Sequence, residues 1–232
     1  MSLWDRLLGL EARRRRLVRR APPGPLRDFL AVPFPRRSAD CRDVRFVAVD
    51  LETTGLDTAS DAIVAIGRVE LDGRAVDLST ARHLLVAPGR AMPEPSAVVH
   101  RIGDDAAASG APLADAVADL LAALAGKVLV AHNAAFELAM IDAACARALG
   151  GRFTARAVDT LALARGWLER RDAAPPQPAQ LRLDALRRRH NLPRYRAHNA
   201  LSDALAAAEL FLAQLAERDR GRGVPLRAVL MR

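Results

Sequence analysis

At 232 residues, 51% apolar but only 4% aromatic, the chain has the length of one compact domain plus an appendage, with a core built mainly of Ala, Leu and Val. No apolar run reaches the length of a membrane helix, so no membrane partner is expected. Asp5, Arg6 and the four arginines at 13–16 do not read as a secretory leader. A reduced, cytoplasmic protein with Cys41 and Cys145 as incidental thiols is therefore expected. The net charge of +8 is almost entirely arginine, Lys127 being the sole lysine. That balance suits a phosphate-rich polyanion; solvated surface charge is the competing reading, and charge alone does not separate DNA from RNA.

Residues 1–20 read as a helix, with Leu3, Trp4, Leu7 and Leu8 at helical spacing and arginines after them, stopped by Pro22, Pro23 and Pro25. Residues 26–43 read as an irregular lead-in. The segment 1–43 is thus expected to be a basic extension that packs on the main domain or docks on a partner. The main domain is expected over 44–217, with a short tail at 218–232.

From Arg45 the pattern turns α/β. An apolar strand over 45–50 runs into a Thr-Thr-Gly turn at 53–55, and a second strand covers 62–71. Asp72-Gly73 is a strong hairpin signal, and a third strand falls between 74 and 87. Short turns between three strands predict an antiparallel meander. A helix follows at 112–125, then a buried strand at 127–131 and a helix at 134–149 ended by Gly150-Gly151. A short strand near 153–158, a helix from 160, a proline-rich loop at 171–180, a basic helix at 181–190 and a long Ala/Leu helix at 200–217 complete the chain. The expected architecture is a mixed five-stranded sheet, meander plus parallel strands, flanked by helices.

Three segments carry acids at the edges of apolar stretches, where an unpaired carboxylate is costly. Asp50 and Glu52, two apart at a strand end, point to one face. Glu137 lies near the start of the helix leaving the 127–131 strand, and Asp142 points roughly 140° away from it. His198 and Asp203 are likewise five apart, so they share a site only if His198 precedes the helix that carries Asp203. Paired hard oxygen donors suit Mg²⁺ or Mn²⁺, and a histidine beside them suits water activation. The combination reads as phosphodiester hydrolysis. Arg182, Arg187, Arg188 and Arg189 form a cluster that tracks a nucleic-acid backbone or is a solvated helix face; His83 and His190 are assigned no catalytic role.

Phe46 to Leu56, Val130 to Asp142 and Ala197 to Leu210 resemble, in order, the three motifs of the DEDDh exonuclease family, the superfamily that includes the proofreading subunit of bacterial DNA polymerase III. The resemblance spans about 45–217. Leu85 to Arg90 with Val99 to Ile102, and Val158 to Arg165, also look like family segments. It implies a ribonuclease H-like fold and metal-dependent 3′→5′ exonuclease activity releasing nucleoside 5′-monophosphates. Asp50, Glu52, Glu137 and Asp203 would hold two Mg²⁺ or Mn²⁺ ions, with His198 the general base. Thr53, Thr54, Gly55, Leu56, His100 and Phe136 would line the terminal nucleotide. The family pattern has aspartate where this chain has Glu137, which places the carboxylate one methylene further out.

The expected substrate is therefore nucleic acid, DNA in preference to RNA, at single-stranded or frayed ends. With about fifteen residues after the last helix, a stand-alone repair or turnover enzyme fits better than a replicative proofreading subunit. An RNA-trimming exoribonuclease is one alternative. The other is a non-catalytic module that uses 1–43 to dock on a polymerase or another repair or replication protein.

Overall fold

The computed structural model describes residues 9–87, 109–171, 175–195, 199–219 and 221–231. The strands are β1 (Phe46–Thr53), β2 (Ile63–Leu71), β3 (Val76–Leu85), β4 (Val128–Ala131) and β5 (Ala157–Asp159). The described helices are α1 (Leu10–Val18), α2 (Pro25–Ala31), α3 (Leu113–Leu124), α4 (Ala134–Leu149), α5 (Thr160–Arg171), α6 (Leu183–Arg189) and α7 (Ala200–Arg218). The sheet order is β3-β2-β1-β4-β5, with β1–β2 and β2–β3 antiparallel and β1–β4 and β4–β5 parallel. This is the predicted meander joined to parallel strands. Asp72 makes the β2–β3 turn by accepting the backbone N–H groups of Arg74 and Ala75 on its Oδ1.

Alternation along β1 assigns the two faces. Val47, Val49 and Leu51 enter the core beneath α2, α3 and α4, whereas Phe46 and Ala48 face α7 together with Val69, Val128, Val130 and Phe211. Asp50 and Glu52 continue the α7 side of that alternation. Because β1, β4 and β5 run parallel, their carboxyl ends and the first turns of α4 and α5 lie along one sheet edge.

One strand glycine sets how closely α7 approaches. Asp50 is paired in register with Gly67 of β2, and a Cβ built on Gly67 would lie 2.0 Å from the carbonyl carbon of Ala200 and 2.2 Å from the backbone nitrogen of Leu201. Only a missing side chain permits this contact. The amino end of α7, capped by Asn199 accepting from the backbone N–H of Ser202, is thereby pressed onto the strand pair that carries Asp50.

Residues 26–31, predicted to be irregular, form α2. Pro25 occupies its first turn, where a missing N–H costs nothing, and Gly24 supplies φ +128° before it. Leu26, Phe29, Leu30 and Phe34 are buried in the same cluster as α3 and α4, and Phe29 stacks on Phe153 with ring centroids 5.3 Å apart. Arg14 is buried, donates to the Leu30 carbonyl and lies over the Phe34 ring. At the other end, Cys41 N–H donates to Val224 O and Leu226 N–H to Ala39 O, each at 2.8 Å. Met231 N–H reaches Ala157 O at 2.9 Å, beside a Val158–Leu230 bridge. No helix among the described residues is long and apolar enough to cross a membrane.

Gly67→Ala is expected to destabilise the fold by about 1–3 kcal/mol, the usual range for overpacking, because backbone rather than a flexible side chain must yield. Urea unfolding measures this, and an unchanged midpoint would show that the α7 contact is not a constraint.

Candidate active site

The carboxyl end of β1 brings three of the predicted acids together. Asp50, Glu52 and Asp203 each offer a carboxylate oxygen, and these oxygens all lie within 4.8 Å of one another. Glu52 is buried, while Asp50 and Asp203 are partly exposed. Asp203 reaches the cluster from the first turn of α7, held there by the Gly67 contact.

Glu137 lies in the first turn of α4, buried, but does not join that group of mutually close oxygens. Its own backbone N–H lies near enough to favour the charged carboxylate. Its Oε2 is buried without a hydrogen bond among the described residues. Its charge still reaches Asp50. Burial first, then Glu137, Asp203 and Glu52, push the Asp50 carboxyl well above the usual carboxylate range. Burial also lifts Glu137 to about 8, with Asp159 adding to the rise and its own N–H opposing it. Asp142 is committed elsewhere, to Arg152 and to the backbone N–H of Phe153.

Hard oxygen donors this close repel one another unless a cation lies among them, and three carboxylates with a fourth at the edge suit Mg²⁺ or Mn²⁺. The residues present therefore fit a divalent metal.

Beside the acids, Thr53 to Leu56 form a turn whose hydroxyl protons are used internally. Thr53 donates to Gly55 O at 2.7 Å and Thr54 to Asp61 Oδ1 at 2.8 Å. Asp61 also accepts from the Asp57 N–H, and its carbonyl accepts from Arg147 at 2.8 Å. A Cβ on Gly55 would lie 2.4 Å from the Asp61 carboxylate, which would have to move to admit it. What the turn offers outward is Leu56, 83% exposed. Phe136 is half-buried at the start of α4, packed against the main core. His100 and His198 lie outside the described residues.

Three residues support the site in roles the sequence does not signal; Arg187, grouped there with a backbone-tracking or solvated cluster, is one of them and is buried instead. Asp159, at the end of β5, accepts the backbone N–H groups of Asn133 and Leu161 on Oδ1, each at 3.0 Å. It thereby fixes Asn133, whose φ of 78° begins α4. His132 donates from Nε2 to Leu181 O and accepts from the Thr160 hydroxyl on Nδ1, both at 2.9 Å. Burial keeps it below the usual imidazole range, so it is neutral. Arg187 is only 3% exposed and donates to Ala206 O and Pro193 O, each at 2.8 Å, and to Glu209 at 2.6 Å. Its guanidinium also lies 4.5 Å from the centre of the Tyr195 ring. It fastens the chain between α6 and α7 to the helix that bears Asp203. Gly67 is different, since a glycine inside a strand pattern already signals close backbone approach.

Residues 47–211 match the family model described as Exonuclease, of the RNase T type. The DNA polymerase III subunit epsilon of Treponema pallidum is 31% identical over 182 residues, covering 78% of this chain and 80% of that protein. The PolC-type DNA polymerase III of Thermotoga petrophila is 32% identical over 168 residues, 72% of this chain. The match spans only 12% of that polymerase's length. A Mycobacterium tuberculosis protein named as a bifunctional exonuclease/endonuclease is 37% identical over 198 residues, 82% of this chain and 29% of its own. Among solved structures, E. coli exonuclease I in complex with an oligonucleotide superposes with a TM-score of 0.62 at 16% identity, over 80% of this chain and 42% of that one. Exonuclease X in complex with 5′ overhanging duplex DNA gives 0.54 at 25% identity, over 75% and 92%.

The raised Glu137 value has a consequence for stability. Between its ordinary 4.5 and about 8, the folded protein holds a proton that the unfolded chain releases. Stability from this group is therefore fully present below the window and is lost as pH rises through it. In EDTA the melting temperature is expected to fall between about pH 5 and pH 8. Mn²⁺ or Mg²⁺ at about a hundred times its Kd is expected to restore about 2.7 kcal/mol. Melting curves indifferent to the cation would remove metal binding from the acid cluster.

Proposed function

The chain belongs to the exonuclease family, of the DEDDh type, and from that premise we propose that it is a metal-dependent 3′→5′ exonuclease acting on DNA ends and releasing nucleoside 5′-monophosphates. The observation that carries this reading is the meeting of Asp50, Glu52 and Asp203, with oxygens within 4.8 Å, beside the Thr53–Leu56 turn. The polymerase III relatives and the DNA-bound structural neighbours support DNA as the substrate.

Asp50, Glu52 and Asp203 would hold the metal, with Glu137 completing the set at its edge. A bound pair of Mg²⁺ or Mn²⁺ ions supplies activation of water and neutralisation of charge on the leaving oxygen. The chain's own residues do the rest. His198, near-neutral in intrinsic pKa, takes the proton of the attacking water as its oxygen bonds to phosphorus. The bond from phosphorus to the 3′ oxygen of the penultimate nucleotide breaks, that oxygen gains a proton, and the terminal nucleotide departs with its 5′ phosphate. The Thr53–Leu56 turn, rigid because Asp61 braces it, orients the terminal nucleoside, and exposed Leu56 offers an apolar surface to its base. Residues 1–43 would attach to a polymerase or other repair or replication partner through surfaces other than the buried residues of α2, which are spent on the domain's own core.

Release of mononucleotides from a 3′-labelled DNA oligomer with Mg²⁺ or Mn²⁺ tests the reading. Asp50→Asn is expected to lower kcat about a hundredfold or more, since metal-assisted charge stabilisation is worth several kcal/mol. A wild-type protein inert toward DNA and RNA oligomers alike would overturn the assignment. Separately, wild-type activity should fall on the acid side as His198 protonates, and a pH–rate profile of His198→Gln should lose that limb. An acid limb unchanged in the variant would remove the general-base role.

A further inference from the structure

Beyond the acids, the same end of the sheet opens into a cavity of about 850 Å³. Asp50 and Asp203 line it together with Arg182, Arg188, Arg194 and Tyr195. A second cavity of about 600 Å³ shares His132, Arg182 and Leu183 with the first and continues past Arg165 and Pro175. The shared residues make the two cavities adjoin, and together they form a groove that includes the Asp50 and Asp203 carboxylates.

The arginines around α6 divide by role. Arg187 is buried in the clamp described above, and Arg189 lies over the Trp167 ring at 4.8 Å. Arg188 makes an exposed pair with Asp184 at 3.2 Å, of the kind that contributes little. Arg182 and Arg194 are exposed and make no ion pair among the described residues. Two exposed guanidiniums thus line the same cavity as the carboxylates of Asp50, Asp184 and Asp203.

A strand degraded from its 3′ end needs one side of the reacting phosphate for the terminal nucleoside and another for the chain that continues. The Thr53–Leu56 turn is not among the residues lining the groove, whereas Asp50 and Asp203 are. Resting on the exonuclease reading, we propose that the groove holds the sugar–phosphate backbone of a single strand 5′ of the scissile bond, with Arg182 and Arg194 each taking one phosphate. Arginine's planar fork suits a phosphate oxygen pair, and the two positive charges relieve repulsion between the strand and the acid cluster. Tyr195, 39% exposed, presents part of its ring to a base. A strand held through its phosphates is bound with little regard to sequence.

The test is equilibrium binding of 5′-fluorescein oligothymidylates to the full chain by anisotropy in EDTA over a range of NaCl, with hydrolysis of the same oligomers in Mn²⁺ measured alongside. Arg182→Ala and Arg194→Ala are each expected to weaken octanucleotide binding about tenfold and to reduce the salt slope by about 0.7, the value for one single-strand phosphate contact. Binding of the unlabelled dinucleotide TpT, read by competition, should be unaffected, because its one phosphate is the scissile one. Arg15→Ala, on a side chain 69% exposed in α1, should change neither. Unchanged octanucleotide affinity and slope in both variants would overturn the proposal. So would an equal loss for the dinucleotide, since the groove would then serve the terminal nucleotide. Arginine-dependent octanucleotide binding without hydrolysis by the wild type would uphold the groove and sink the exonuclease reading instead.

Discussion

The acid cluster depends on one backbone-to-backbone contact, that of Gly67 with the first residues of α7. Register places Gly67 beside Asp50, and the absent side chain lets Ala200 come to rest on the strand. Asp203 is then one helical turn along, at the height of the β1 acids. The rest of α7 is suited to the same closeness. Ala204 and Ala208 are buried under it, with Phe211 and Leu215 filling the space further along, where Phe211 meets Phe46 edge-on at 5.0 Å. Small residues thus lie near the site and large ones behind it along α7.

That apolar packing opposes an electrostatic cost. Asp50 is raised by burial and by three neighbouring acids, and Glu137 by burial and Asp159, so the fold holds together groups that favour separation. Such strain is tolerable because the surrounding elements are fastened independently of it. Arg187 ties the α6–α7 connection to α7, Asp159 ties the start of α4 to β5, and Asp61 ties the turn after β1 to itself and to α4. A cation entering the cluster thus meets donors already in place, which lowers the ordering cost of binding.

Much of this was legible because its determinants are local. Two acids on alternate positions of an apolar strand need no tertiary information to share a face, and Asp72-Gly73 announces its hairpin by turn chemistry. Gly150, with φ 67°, ends α4 as a left-handed glycine cap does. The less legible features depend on distant partners. Nothing in a run of arginines says that Arg187 turns inward while Arg188 stays in water; that is decided by Ala206 and Glu209 on another helix. The departure at Glu137 was visible, but not that its carboxylate would stay outside the group formed by Asp50, Glu52 and Asp203. Residues 26–31 read as irregular because of the prolines around them, whereas Pro25 starts α2 and Leu26, Phe29 and Leu30 supply its buried face.

The pairing of residues 230 and 231 with β5 also guards the sheet against unwanted neighbours. β5 is the outermost parallel strand, and its outer N–H and C=O groups would otherwise form a template on which another extended chain could be laid down. Occupying that margin with the molecule's own backbone turns a sticky border into a finished one. The carboxyl-terminal stretch is in this sense a hem rather than a loose thread.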